Sequence, residues 1–287
     1  MNVRLVAKIR GDQDGAIYGS ELFRFDSLGN CAVYDLKEIK DDEVTELTPR
    51  AEFRLDGADV IVPHSNAVCF GCGFYDENDE YPLLYTNIYN NFAKEEDKLI
   101  GVCCVYRLQR TENKFTAILV QLIEIGFTED SELWKAYPDK HGVRPYGNFV
   151  VDGESRSYYA FVMRSEEKGT RYFRFDLPSV NDGEIDTRFN VKKVVLSADD
   201  IRDTFDLGYS RYVQGAIFHE GKIYSTEGFH KDIINRPAIR VIDTVKKEEE
   251  YFDILDIGFV NEPEFIDFYN GTCYYSDASG NLYTVEE

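Results

Sequence analysis

Two carboxylates at matching positions carry the most chemistry in this chain. Asp14 opens the stretch Asp14-Gly15-Ala16-Ile17-Tyr18, and Glu264 opens Glu264-Phe265-Ile266-Asp267-Phe268. A carboxyl pair, one protonated and one ionised, is the minimum equipment for cleaving a glycosidic bond. Glu227 is a third candidate acid, and Arg144 or Arg211 would keep one carboxylate ionised by proximity. Three other stretches repeat the pattern of a polar residue, a small or apolar one, then a strand-like run. They are Asn66-Ala67-Val68-Cys69-Phe70, Gly147-Asn148-Phe149-Val150-Val151 and Gln214-Gly215-Ala216-Ile217-Phe218. In these three an amide stands where the carboxylate would be, which weakens a hydrolytic reading and favours binding. Near the five starts lie Gln13, His64, Arg144, Tyr146, Arg211, Tyr212 and Glu262, with His230 in the long polar loop 227–237. Carboxylates, amides, guanidinium groups and phenols together suit a hydroxyl-rich or zwitterionic small molecule. Each also has a plainer role open to it, bonding to neighbouring backbone or to ordered water.

Other chemistries are poorly served. There is no Ser-His-Asp order, no phosphate-cradling Gly loop and no HExxH. No cofactor is expected; calcium is the one metal weighed, because the acidic runs 76–80 and 199–203 offer oxygen ligands. Both runs read more simply as solvated turns and as acidic bias at a helix start. Cys69 and Cys72 form a CxxC without a second pair at zinc spacing, so the six cysteines read as buried free thiols of a cytoplasmic protein. A formal charge of −21 argues against nucleic acid and anionic membrane as partners. No apolar run approaches the ~20 residues of a membrane span, and the alternating start, residues 1–10, predicts no signal peptide. The expected partner is a small molecule, a glycan being the leading candidate, and a protein partner stays open.

Strands must position these residues, since 20 Tyr and 20 Phe against one Trp favour pleated surfaces. Between successive starts the sequence reads as four strands, with Gly19 and Gly29-Asn30 in tight turns and Asn270-Gly271 in a hairpin turn. In the third unit the fourth strand is Val191–Leu196, followed by a short helix over Ala198–Thr204 with Ser197 and Asp200 as capping box. A helical turn holding Trp134 follows the second unit. The last unit has three strands, and Val3–Ile9 is left over at the start of the chain. Joining them gives an all-β, five-bladed β-propeller of four antiparallel strands per blade, one domain over residues 1–287, with closed edges.

The segments Gln13–Gly19, Pro63–Gly71, Asp79–Tyr85 and Glu262–Gly271 resemble five-bladed β-propeller proteins, and more closely a group of uncharacterised bacterial propellers. More distantly the architecture is similar to five-bladed glycosidases. That resemblance implies a site at the mouth of the central channel, where the inner strands begin. It implies acidic residues at those starts too, and this chain departs from the pattern at Asn66 and Asn148. The expected function is therefore binding of a carbohydrate-like small molecule at the channel mouth, with glycoside hydrolysis by a carboxylate pair as the alternative.

Overall fold

The computed structural model describes residues 2–61, 63–88, 99, 101–112, 114–127, 148–210, 212–229 and 235–286. Strand takes 57% of the described residues and helix 4%, so the fold is all-β. Runs rich in Val, Ile, Phe and Tyr make the strands, because branched and aromatic side chains fit a pleated, half-buried surface. The turns fall where positive φ is tolerated: Asn270 (φ 50°) and Gly271 (φ 76°) link Tyr269 to Thr272 in a two-residue hairpin loop.

The strands form five separate sheets. From the inside outward, sheet one runs Gly15–Tyr18, Glu21–Phe25, Asn30–Asp35 and Ala51–Arg54. Sheet two runs His64–Phe70, Leu84–Ile88, Val102–Thr111 and Lys114–Ile125, then adds Val191–Leu196 and Glu184–Asp186. Sheet three holds Asn148–Asp152, Ser157–Ser165, Gly169–Asp176 and Asp203–Leu207. Sheet four holds Val213–His219, Lys222–Glu227, Ala238–Asp243 and Glu248–Asp253. Sheet five holds Pro263–Tyr269, Thr272–Asp277, Asn281–Glu286, Asn2–Lys8 and the short Thr45–Glu46.

Each inner strand lies against the inner strands of two neighbours, giving a propeller-like ring of sheets. Those of sheets two and four also meet across the axis, so the centre is packed. Four of these five sheets count as blades, where the sequence predicts five blades of four strands each. Sheet two departs most from a regular blade: it holds six strands, and its added Val191–Leu196 runs parallel to Lys114–Ile125. Closure follows the expected route. Asn2–Lys8 pairs antiparallel with Asn281–Glu286, setting Val3 opposite Val285 and Leu5 opposite Tyr283.

Two expectations for the third unit are corrected. Val191–Leu196 leaves it for sheet two, whose 12-residue strand Lys114–Ile125 offers a long open edge. Lys193 is also drawn there by Glu124, at 3.3 Å. Its place in sheet three goes to Asp203–Leu207, whose first two residues the sequence places in the expected helix Ala198–Thr204. The Ser197–Asp200 capping box does form, yet it encloses a single 3₁₀ turn, Ala198–Asp200. The alternating Thr204-Phe205-Asp206 then buries only Phe205, the period of a strand. Trp134 lies outside the described residues.

The core sits between sheet faces. Adjacent Cys103 and Cys104 fall in different hydrophobic clusters, as neighbours on a strand must. All six cysteines are free thiols, and four are buried. Among the described residues no helix is long and apolar enough to cross a membrane.

Candidate functional site

Asp14 stands immediately before the inner strand of sheet one and is wholly buried. The Val68 N–H donates to its Oδ2 at 2.9 Å, tying sheet one to sheet two. Its own N–H donates to the Ser65 carbonyl at 3.3 Å. Across the hairpin, Gly15 faces Arg24 in register. Arg24 is also wholly buried; its Nη2 donates to the Asp12 carbonyl at 3.0 Å, and its guanidinium lies 4.8 Å from the ring centre of Phe265 in sheet five. Asp14, Asp12 and Glu264 all act on its charge. Glu264, at 2% exposure, accepts from Gln13 Nε2 at 3.5 Å.

Burial decides the electrostatics. It pushes the Asp14 carboxyl well above the usual carboxylate range, against the Gly15 and Val68 N–H groups and Arg24. It does the same to Glu264, helped by repulsion from Glu262 and opposed by Arg24. Arg24 is pulled below its ordinary value by burial, and the nearby carboxylates resist that pull. Asp14 Oδ1, Glu264 Oε2, Arg24 Nε and Nη1, and Ser65 Oγ are buried without a hydrogen-bond partner among the described residues. Such groups are rare in native proteins because each costs roughly 1–3 kcal/mol of uncompensated desolvation.

Close packing explains the glycine in the stretches that begin at Asp14 and Gln214. A Cβ on Gly215 would come within 2.8 Å of both Asp14 Oδ1 and the Glu264 carbonyl oxygen. A Cβ on Gly15 would come within 2.2 Å of the Phe23 carbonyl oxygen. Only glycine lets three inner strands converge here.

Towards the rim, Gln214 Nε2 donates to the Gly228 carbonyl at 3.2 Å and to Glu262 Oε1. Tyr212, in the left-handed region (φ 53°), packs its ring 4.3 Å from that of Phe229. His64 also has positive φ (59°), and burial holds its imidazole below the ordinary value. Gln13, Asp14, Gln214, Glu262 and Glu264 thus form one connected group, with His64 and Tyr212 at strand starts beside it. Asn66 and Asn148 lie in the inner strands of sheets two and three. Arg144, Tyr146, Arg211 and His230 fall outside the described residues.

Glu227 is engaged elsewhere. It is buried one strand outward, where Arg240 donates to it from Nε at 2.7 Å and Nη2 at 3.1 Å. The acidic runs weighed for calcium are likewise occupied: Asp79 pairs with Arg107 at 2.6 Å, Glu80 with Arg110, and Asp203 with Lys247 at 2.9 Å. Asp200 accepts from the Ser197 N–H at 2.7 Å. Among the described residues no group of three or more His, Cys, Asp or Glu side chains is arranged to hold a metal.

Sequence reasoning missed Arg24 and Asp267. The signal for Arg24 is one cation inside the apolar strand Leu22-Phe23-Arg24-Phe25. Asp267 sits within the fifth repeated stretch, where it accepts from the Ile17 N–H of sheet one at 2.6 Å and from the Phe268 N–H at 2.7 Å.

No family model matches the chain, and no curated protein matches it. Among solved structures it is similar to Kuenenia stuttgartiensis hydrazine synthase, with a TM-score of 0.42 and 7% identity. That likeness covers 92% of this chain and 61% of the hydrazine synthase chain. It is also similar to the computationally designed Ika8 protein, with a TM-score of 0.36, 9% identity, and coverage of 98% and 99%. Likenesses this loose carry no argument about activity.

Proposed function

We propose that the chain is a five-bladed propeller, the enlarged sheet two serving as a blade, that binds a polar, carbohydrate-like small molecule at the mouth of its ring. One observation carries the binding reading: buried carboxylate, guanidinium and hydroxyl atoms without partners among the described residues gather where three inner strands begin. Polar groups left in that state call for hydroxyls or water to bond to. Gln13, Tyr212 and Glu262, half-buried at the rim, would meet the ligand first. Carboxylates accept and amides do both, a set that complements the alternating donors and acceptors of a polyol.

The test is a thermal-shift panel of sugars, polyols and zwitterions at neutral pH. A ligand present at ~100 times its Kd adds ~2.7 kcal/mol to folding stability, a readable rise in Tm. Silence across the panel would count against the reading. Hydrolysis by Asp14 and Glu264 remains the second reading, favoured by one observation, that burial raises both carboxyls and the Asp14 charge adds to the rise of Glu264. Turnover of an aryl glycoside that disappears in Glu264→Gln would support it.

A further inference from the structure

At the opposite end of the inner strands, sheets four and five part around a cavity of about 430 Å³. Its cause is the side chains. Between sheets one and two the equivalent space is filled by Phe23, Phe53, Phe70, Tyr81 and Phe115, whose ring centres lie 5.3–6.5 Å apart. Between sheets four and five the space is lined instead by the smaller Ile239, Val241, Cys273 and Val285. One wall is aromatic: His219 stacks on Phe268 at 3.8 Å and 10°, and Tyr224 meets Phe268 edge-on at 4.8 Å. At the rim stands Glu220, its side chain 83% exposed. Among the described residues the lining contains no Lys or Arg.

We propose that this cavity is a second binding site, separate from the mouth, for a small organic cation with an apolar or aromatic body. The volume lies within the roughly 300–1,000 Å³ of ligand pockets. Rings attract cations through their faces, and burial keeps His219 neutral by lowering its basicity. Glu220 supplies the one formal charge among the described lining residues, and the whole chain, at −21, repels anions. An anionic ligand of equal size is thereby selected against.

Three probes with one body and different heads test this by calorimetric titration: 2-phenylethylammonium, 2-phenylethanol and 3-phenylpropionate. The expected order is cation, alcohol, carboxylate. Glu220→Gln should weaken the cation by about 2- to 5-fold, the scale of an exposed ion pair, while leaving the alcohol unchanged. Val241→Trp and Cys273→Phe fill the cavity from opposite sheets and should each abolish binding of all three probes without lowering Tm. Glu262→Gln, at the distant mouth, should leave every affinity unchanged. The proposal is overturned if the carboxylate binds as tightly as the cation, if both filled variants still bind, or if no probe binds at millimolar concentration.

Discussion

Arg24 holds together charges that arrive from different sheets. Asp14 comes from sheet one and Glu264 from sheet five, and both feel its guanidinium. Removing one partner of a buried charge group strands the others, typically at ~3–5 kcal/mol. Arg24→Met should therefore lose that order of stability at pH 7.5, read by urea unfolding. The deficit should shrink as pH is lowered and Asp14 and Glu264, both raised by burial, shed their charge by protonation. A deficit independent of pH would show that packing on Phe265, not charge, sets the cost. Gly215→Ala should cost about 1–3 kcal/mol by overpacking against Asp14 Oδ1 and the Glu264 carbonyl; an unchanged Tm would refute the close approach. At this scale the sequence was informative where residues repeat: Asp14, Gln214 and Glu264 are legible as equivalent positions. Arg24 was not, because its burial arises only when a second strand of sheet one meets the inner strand of sheet five.

Between elements, carboxylates act as staples from one inner strand to the next. Asp267 of sheet five binds the Ile17 N–H of sheet one, and Asp14 of sheet one binds the Val68 N–H of sheet two. Burial raises Asp267 from 3.8 to about 7, against the two N–H bonds. A carboxyl raised on folding adds stability that is full below its unfolded value and is lost as pH climbs through its folded value. For Asp267 that window runs from about pH 4 to about pH 7 and spans on the order of 4 kcal/mol. Asp267→Asn should accordingly be destabilised relative to wild type more at pH 5 than at pH 8, by denaturant titration. An equal difference at both pH values would mean that Asp267 does not titrate in this range. Strand legibility followed similar physics. Glu21–Phe25 forms between the turns that Gly19 and Gly29-Asn30 mark in the sequence. Val191–Leu196 was recognised as a strand but given the wrong sheet, since a strand's own residues do not name the edge it joins.

For the whole molecule, the ring depends on Asn2–Lys8 lying against Asn281–Glu286. Deleting residues 1–8 bares the latter as an open edge, and open edges pair with other chains. The shortened protein should melt lower and elute partly as oligomers in size-exclusion chromatography; a monomer of unchanged Tm would show that closure is dispensable. The ring was legible as soon as the leftover first strand was set beside the incomplete last unit. The six-stranded second sheet was not, because its extra strands are borrowed from the third unit's sequence. All of this places Gln13, Gln214 and Glu262 around a buried, under-bonded polar cluster, and binding there is the central claim. Its most direct test is calorimetric titration of the most stabilising panel ligand into wild type and Glu262→Gln. Loss of a hydrogen bond to a charged group should weaken affinity roughly 10-fold or more, with Tm of the free variant unchanged. Equal affinity in both proteins would contradict a site at the mouth of the ring.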